Sequence, residues 1–185
     1  VGYKKLYAFC NKMRTKGYLY AAVKGCQMDK YTYTRGNVDE SILIMKEAAQ
    51  WLIDKGCPLW EIDNLRAEKI SENSNEYIIM WNGNESVATL VLSYQDSFFW
   101  PDIPVNTSGF IHKLAIRRKY AGAELARMLV QYAIDECKRN GINQVRVDCD
   151  NRNQLCEFYE KIGFRQKENR KIGRYSVAFY EYFNL

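Results

Sequence analysis

Two side chains in the C-terminal half of the chain have the chemistry of acid and base catalysts. Tyr159 has a phenol that could donate a proton, and His112 has an imidazole whose ordinary pKa suits a general base near neutral pH. Each also has a structural interpretation. Tyr159 lies on an apolar helix face with Leu155 and Ile162, where a tyrosine often belongs to the core, and His112 could be a half-buried structural histidine. The residue types alone leave both interpretations open.

The stretch that contains His112 predicts a strand, a loop and a long helix. We predict the strand over Phe110–Ile116, the loop over Arg117–Ala123 and an amphipathic helix over Glu124–Asn140. The first amides of such a helix lack partners and the helix dipole adds positive charge, so the junction suits a phosphate or pyrophosphate, and Gly122 would let the backbone approach it closely. Three loop residues add positive charge: Arg117, Arg118 and Lys119. An ordinary capped helix with a solvated loop has the same pattern.

Alternation along the predicted strand decides what lies beside the imidazole. Side chains two residues apart share a face, so His112 is expected on the face of Phe110, Leu114 and Ile116. That face could line a cleft or be half-buried. No other residue of the sequence stands out as a base.

The remaining elements predict a mixed sheet with helices on both faces. Antiparallel hairpins precede a βαβ unit, and the predicted order is β-α-α-β-β-β-α-β-α-β-β. The predicted strands outside the central segment are Tyr31–Arg35, Glu76–Trp81, Ser86–Tyr94, Gln144–Cys149, Phe164–Lys167 and Tyr175–Phe183. The predicted helices are one capped by Asn37 or Asp39 and ending near Lys55, a short one over Asp63–Ile70, and one over Asn153–Ile162.

Length and composition predict one globular domain without a membrane span. The chain has 185 residues, 47% of them hydrophobic, enough to bury a substantial core. It contains no run of 18 apolar residues, and its first residues do not resemble a secretory signal. Its six cysteines form no C-x-x-C pair and only one histidine is present, so we expect no metal site and the reduced thiols of a cytoplasmic protein.

Positive charge is concentrated at the start of the chain, where residues 1–36 contain eight Lys or Arg against one acidic residue. We predict a basic N-terminal extension over residues 1–30, with a helix and a short strand, and a main domain over residues 31–185. The extension could touch nucleic acid, but a solvated helix face is the favoured interpretation because the chain contains no recognisable nucleic-acid module. Nucleic acid is therefore not the expected partner.

Three segments in order carry a resemblance to a known family. They are IHKLAIRRKYAGAELARMLVQYAI, then the strand VRVDCD, then NRNQLCEFYEKIGF. Together they resemble the GNAT superfamily of N-acetyltransferases, most strongly over residues 110–164 and, in the order of the predicted elements, over residues 31–185. The segment FYEKIGF is the most diagnostic of them.

The resemblance implies a place for acetyl-CoA as co-substrate. The family's sheet splays after the strand Phe110–Ile116, and the pantetheine arm enters that gap along Leu114, Ala115 and Ile116. The Leu114 amide would polarise the thioester carbonyl, and Tyr159 would protonate the departing thiolate. Either Asn151 or Asn153 would bond the arm from the other side. The pyrophosphate would be held by the amides of Ala121, Gly122, Ala123, Glu124, Leu125 and Ala126.

The sequence also departs from the family pattern. The family's loop usually reads Arg/Gln-x-x-Gly-x-Gly/Ala, which puts Ala121 on the first position and Glu124 on the central glycine. Glu124 could repel the pyrophosphate if it points inward, or face solvent as a first-turn residue favoured by the helix dipole. The usual asparagine position falls on Arg152.

Two main functions follow from these observations. The first is transfer of an acetyl group from acetyl-CoA to the primary amine of a small molecule or peptide by direct attack, with a homodimer as a possible assembly. The second is a catalytically degenerate acyl-CoA-binding or regulatory module, which the changes at Ala121 and Glu124 favour. A third, nucleic-acid association, would depend on the basic extension. Five residues are candidates for the acceptor pocket or, equally, for core packing and turns: Trp60, Phe98, Phe99, Trp100 and Asp102.

Overall fold

A seven-stranded sheet with helices on both faces forms the main body of the computed structural model, which describes residues 30–70 and 76–183. The predicted extension over residues 1–30 lies outside the described residues, apart from Lys30. The strands are β1 Tyr31–Arg35, β2 Glu76–Asn82, β3 Glu85–Ser93, β4 Gly109–Ile116, β5 Gln144–Asp150, β6 Arg165–Ile172 and β7 Tyr175–Phe183. The α-helices are α1 Val38–Asp54, α2 Ala67–Ile70, α3 Ala123–Arg139 and α4 Asn153–Lys161.

The strand order is β1-β2-β3-β4-β5-β7-β6, which confirms the predicted fold class. The pairs β2–β3, β3–β4, β5–β7 and β6–β7 are antiparallel, and β4–β5 is parallel. Val91 of β3 packs in the core beneath α1. Its neighbour Leu92 lies near Gly109 of β4, on the side where the Cys137 thiol of α3 lies so close that a Cβ added to Gly109 would overlap it. Because consecutive strand residues point to opposite faces, α1 and α3 cover opposite faces of the sheet.

The pairing between β4 and β5 ends after three positions. Gly109, Phe110 and Ile111 pair with residues 145–147, and beyond this point β4 pairs only with β3 while β5 pairs only with β7. The two strands therefore separate toward their carboxyl ends. This separation creates a cleft in the middle of the sheet, as the sequence resemblance predicts.

A bulge at Lys113 changes the face on which the end of β4 points. Lys113 has a φ of 52°, a conformation that few residues other than glycine adopt, and the register shifts there, so that His112 lies opposite Val91 but Ala115 lies opposite Thr89. Val91 and Thr89 share a face, so His112 shares it with Ala115. The prediction that His112, Leu114 and Ile116 share a face is therefore wrong, because simple alternation does not account for the extra residue of a bulge.

Local signals account for most element boundaries. Asn37 begins α1 as predicted, since its Oδ1 accepts a hydrogen bond from the Glu40 amide at 3.1 Å. The predicted helix over Asp63–Ile70 is instead a 3₁₀ turn at Ile62–Asn64 followed by α2. Strand β6 is longer than predicted, because its pairing with β7 continues to a turn at Gly173, where φ is 59°. Among the described residues, no helix has the length and apolar character needed to span a bilayer.

Candidate active site

The cleft between β4 and β5 opens into a cavity of about 690 Å³. Its walls come from β4, β5, the inner face of α4, the segment between α1 and α2, and the loop that precedes β4. Among the sequence-predicted site residues, the cavity is lined by His112, Leu114 and Tyr159. The structure thus brings together the three residues that the sequence analysis assigned to catalysis.

Tyr159 reaches the cavity from α4. Its ring packs among aromatic rings, with centroid distances of 5.1 Å to Phe158, 5.6 Å to Phe164 and 6.0 Å to Tyr180. Burial raises the pKa of Tyr159 above its ordinary value, and the nearby Cys149 thiol adds to this rise. The phenol is therefore protonated at neutral pH, the form that can donate a proton.

His112 reaches the cavity from β4 and lies between polar groups. Its Nε2 is 3.2 Å from the Ser93 hydroxyl and 3.9 Å from Oδ2 of Asp96, while its Nδ1 is 3.9 Å from Oδ1 of Asp148. Burial lowers the pKa of His112, although the Asp96 carboxylate opposes this effect. A lowered pKa leaves the imidazole neutral at pH 7, the form that can accept a proton.

Asp96 and Asp148 are functional candidates that the sequence reasoning missed. Oδ1 of Asp96 accepts hydrogen bonds from the amides of Phe98 and Phe99, at 3.1 and 2.9 Å, and this fixes the carboxylate at the start of the loop. Burial, with the Asp96 charge second, raises the pKa of Asp148 to about 7. The alternation of VRVDCD indicates that Asp148 and the two valines point to opposite faces of β5. It does not indicate that the face of Asp148 meets His112.

Together these three residues form a polar cluster on the cavity wall. Candidate ligand atoms of Asp96, His112 and Asp148 lie within 4.8 Å of one another, and such a group could hold a metal ion. We expected no metal site because the cysteines form no close pairs and the sequence has one histidine. That reasoning did not include two carboxylates beside the imidazole.

Lys113 occupies the bulge of β4 and also lines the cavity. Its Nζ lies 5.4 Å from the centroid of the Trp60 ring, within the range of a cation–π contact. Burial lowers the pKa of Lys113, and the charge of Asp148 opposes that change. The bulge thus brings a basic side chain next to the position where the sequence analysis placed the thioester.

The start of α3 has the features of an anion site. Gly122 precedes the helix in an extended conformation, and no side chain at this position accepts a hydrogen bond from the helix amides. Ala121 and Gly122 are exposed, Leu125 is buried and Ala126 is half-buried. The first amides of α3 begin at Ala123 and have no intrahelical partners, so they can donate to a pyrophosphate. The residues of this region therefore fit the group that the resemblance implies.

The three basic residues before α3 contribute less positive charge than predicted. Arg117 pairs with Glu40 and Glu47, each at 2.6 Å. Lys119 pairs with Glu85. The charges of Arg117 and Lys119 are thus neutralised by carboxylates of other elements. The remaining cation, Arg118, stacks on the Trp51 ring at 4.0 Å.

Glu124 faces solvent rather than the anion site. Its side chain is 66% exposed, and its carboxylate lies 2.7 Å from Nη2 of Arg127, one helical turn further along α3. Of the two orientations that the sequence left open, the structure has the outward one. The amide of Glu124 remains part of the helix start.

The two asparagines predicted to bond the pantetheine arm from the β5–α4 side have different surroundings. Asn151 donates from Nδ2 to the Ser176 hydroxyl at 3.2 Å, while Asn153 is an exposed residue at the start of α4. Arg152, between them, donates to the carbonyl oxygens of Cys57 and Pro58 at 3.2 and 3.1 Å. The usual asparagine position is thus used to attach the segment after α1 to the start of α4.

The other predicted residues separate into core and cavity. Ala115 is buried beneath α1, whereas Ile116 is half-buried. Of the predicted acceptor residues, Trp60, Phe98 and Phe99 line the cavity. Trp100 is instead buried core, in contact with Phe110 and Phe179, and Asp102 is exposed outside the cavity walls.

Known proteins share both the sequence pattern and the fold. Residues 45–164 match the acetyltransferase (GNAT) family. An uncharacterised N-acetyltransferase of Bacillus subtilis, YesJ, is 24% identical over 131 residues, 65% of this chain and 72% of the relative. A GNAT-family acetyltransferase of Listeria monocytogenes has a TM-score of 0.65 at 16% identity, over 83% of this chain and 94% of that one. The Salmonella typhimurium protein yncA, whose structure contains its cofactor acetyl-CoA, has a TM-score of 0.58 at 14% identity over the same shares. Since the family match spans more than half of its residues, the chain belongs to the acetyltransferase (GNAT) family and is an acetyl-CoA-dependent N-acetyltransferase.

Proposed function

We propose that the protein transfers the acetyl group of acetyl-CoA to the primary amine of its acceptor by direct attack inside the cavity. The observation that carries this proposal is that His112, in the form of a base, and Tyr159, in the form of an acid, line the same cavity where β4 and β5 separate. A transfer to an amine needs both functions, because the nucleophile must lose a proton and the thiolate must gain one.

The cofactor is held mainly by main-chain groups in this proposal. The amides of residues 121–126 hold the pyrophosphate at the start of α3, and the exposed edge of β4 at Leu114, Ala115 and Ile116 pairs with the pantetheine arm. Asn153 contacts the arm from α4, since Asn151 is already bonded to Ser176. Acetyl-CoA supplies the activated acyl group and the thiol leaving group.

The chemical step assigns one role to each of three residues. His112 removes a proton from the acceptor nitrogen, which then forms a bond to the carbonyl carbon. The Leu114 amide donates a hydrogen bond to the oxygen on which negative charge develops. The C–S bond breaks, and Tyr159 gives its proton to the sulfur. Holding both reactants in one cavity contributes to the rate as well.

A thiol-release assay with acetyl-CoA and a panel of amines tests this function. Tyr159→Phe removes only the hydroxyl, so we expect turnover to fall about 100-fold or more while the affinity for acetyl-CoA, measured by thermal shift, stays within about threefold. Tyr182→Phe, which removes the same hydroxyl from a ring outside the cavity walls, is the matched control and should retain most of the activity. Stabilisation by acetyl-CoA without thiol release on any amine would instead favour the degenerate binding module. Unchanged turnover in Tyr159→Phe would reject the acid assignment.

A further inference from the structure

Two residues of the cavity wall each have a buried carboxylate oxygen without a hydrogen-bond partner among the described residues. The Asp96 side chain is only 7% exposed, and its Oδ2 has no donor among the described residues, although its Oδ1 has two. Oδ1 of Asp148 is buried and makes no hydrogen bond of good geometry in that part of the chain, although the Trp100 indole is close enough to lower the pKa of this carboxyl against the larger effect of burial. Because an unpaired buried carboxylate is costly, this wall is suited to a ligand that brings hydrogen-bond donors and positive charge.

No lysine or arginine of residues 30–70 and 76–183 meets that demand. The basic group within 4.0 Å of these carboxylates is His112, whose neutral ring supplies no positive charge. Lys113 is nearby and its charge acts on Asp148, but its Nζ lies over the Trp60 ring and forms no ion pair with either acid. The cluster therefore has acceptor oxygens that no cationic side chain of the described residues contacts, and a cationic ligand can contact them.

The spacing of the cluster fits an ammonium group. An ammonium nitrogen that donates two hydrogen bonds of about 2.8 Å at the tetrahedral angle needs acceptors about 4.6 Å apart. The candidate ligand atoms of Asp96 and Asp148 lie within 4.8 Å of each other. Both can therefore accept from one nitrogen, with His112 beside it to take a proton.

Aromatic side chains form much of the remaining cavity wall, and some of them are exposed. Phe98 is 70% exposed and Tyr175 is 47% exposed, and both line the cavity with Trp60 and Phe99. Large exposed apolar side chains around a concave site are typical of surfaces that a ligand covers. Lys69 also lines the cavity, and its charge disfavours a ligand with a second cationic group.

We propose that the acceptor is a monoamine with an apolar, aromatic-sized body, bound as its ammonium ion by Asp96 and Asp148. This inference rests on the proposed function, since it names the acceptor of the same site. The ammonium nitrogen loses one proton to His112, and its lone pair then forms the bond to the thioester carbonyl carbon. As the C–S bond breaks, Tyr159 gives its proton to the sulfur, and the second proton lost by the nitrogen restores the Tyr159 phenol. A carboxylate next to the nitrogen, as in an amino acid, would be repelled by the two acids.

A divalent metal ion is the alternative occupant of the cluster. Asp96 approaches the imidazole at Nε2, whereas Asp148 approaches it at Nδ1. An ion held by both carboxylates meets only one of the two ring nitrogens, which is enough to receive a proton from an ammonium ion and leaves a metal ion with three protein ligands. Competition between the amine and added Zn²⁺ distinguishes the two occupants.

Equilibrium binding tests the proposal without turnover. Isothermal titration of the protein with 2-phenylethylamine is compared with 2-phenylethanol, which lacks the charge, and with L-phenylalanine, which adds a carboxylate. We expect the amine to bind at least about tenfold more tightly than either, since hydrogen bonds between charged groups are roughly twice as strong as those between neutral groups. Equal binding of the alcohol, or binding only of added Zn²⁺ with no competition from the amine, would overturn the proposal.

Two variants and a matched control locate the effect. Asp96→Asn keeps the oxygen that caps the amides of Phe98 and Phe99, and Asp148→Asn keeps the shape of the side chain. Each should weaken 2-phenylethylamine binding about tenfold, whereas Asp102→Asn, on the exposed part of the same loop, should leave it unchanged. Circular dichroism establishes that each variant is folded. Unaltered binding in both cluster variants contradicts the ammonium site.

The thiol-release assay separates this inference from the proposed function. Release with any amine but without preference for 2-phenylethylamine over L-phenylalanine overturns the acceptor class and leaves acetyl transfer standing. Charge-dependent binding without thiol release on any amine keeps the ammonium site and overturns acetyl transfer.

Discussion

The two sides of the cavity use different parts of the polypeptide. On the side where we propose that acetyl-CoA binds, called the cofactor side, the groups that fit the ligand are main-chain amides at the start of α3 and the free edge of β4. On the side where we propose that the amine binds, called the acceptor side, the polar groups are the side chains of Asp96, His112 and Asp148, and the apolar surface is aromatic. Binding on the cofactor side therefore depends on the course of the main chain, and binding on the acceptor side depends on the identity of the side chains.

This difference predicts that departures from the family pattern are tolerated on the cofactor side. Ala121 and Glu124 replace usual loop residues, but an amide is the same donor in every residue except proline. Glu124 directs its carboxylate to solvent and pairs with Arg127. On the acceptor side, by contrast, a change from Asp96 to a neutral residue removes the group that we propose to hold the ligand.

The largest expected effect lies on the acceptor side. Replacing His112 with glutamine keeps a polar group of similar size but removes the base, so kcat/KM should fall about 10²–10⁴-fold. Steady-state thiol release measures the loss. The Kd of acetyl-CoA should stay within about threefold. An equal loss of acetyl-CoA affinity would show that His112 acts on both sides of the cavity.

The next effect concerns stability and pH at Asp148. Burial raises its pKa to about 7 from an ordinary 3.8, with Asp96 adding to the rise and Lys113 opposing it. Between these values the folded state keeps a proton that the unfolded state releases, so stability falls as pH rises from about 4 to 7. Asparagine does not ionise, so Asp148→Asn avoids this loss of stability. Its free energy of unfolding at pH 8 should exceed that of the natural chain by no more than about 4 kcal/mol.

Thermal unfolding at pH 5 and pH 8 measures the effect at Asp148. The Tm difference between the Asn variant and the natural chain should be larger at pH 8. Parallel pH profiles would show that this carboxyl does not titrate in the folded protein as described.

A smaller effect is expected from one amide on the cofactor side. Ala123→Pro removes the first N–H of α3, and proline is favoured at this position because the helix has no internal use for that donor. Gly122 already has the extended conformation that must precede a proline, with ψ at 148°. We expect the Kd of acetyl-CoA to rise about 10–100-fold with little change in Tm. An unchanged Kd would remove this amide from the proposed pyrophosphate site.

The smallest effect is expected from the side chain next to that amide. Glu124→Gln removes a negative charge near the proposed pyrophosphate site but leaves the backbone intact. Because the carboxylate is exposed and paired with Arg127, the Kd of acetyl-CoA should change less than about threefold at 0.15 M salt. A tenfold gain in affinity would mean that the carboxylate does reach the ligand.

The sequence predicted the framework of the site better than its chemistry. Helix periodicity and capping residues gave α1, α3 and α4 within one or two residues, and the resemblance predicted the separation of β4 and β5. The bulge at Lys113 was missed, because alternation does not reveal an extra residue in a strand. Asp96 and Asp148 were missed for another reason: they meet His112 only through the packing of a loop and a neighbouring strand.

The early end of β4–β5 pairing has a consequence for the solubility of the fold. Unpaired strand edges usually lie at the rim of a sheet, where they can recruit strands from other molecules. Here two such edges lie inside the protein, with α1 and α3 covering opposite faces. Edges enclosed in this way are less accessible to strands of other molecules than edges at the rim, so the gap that we propose to hold the pantetheine arm adds little risk of aggregation by strand addition.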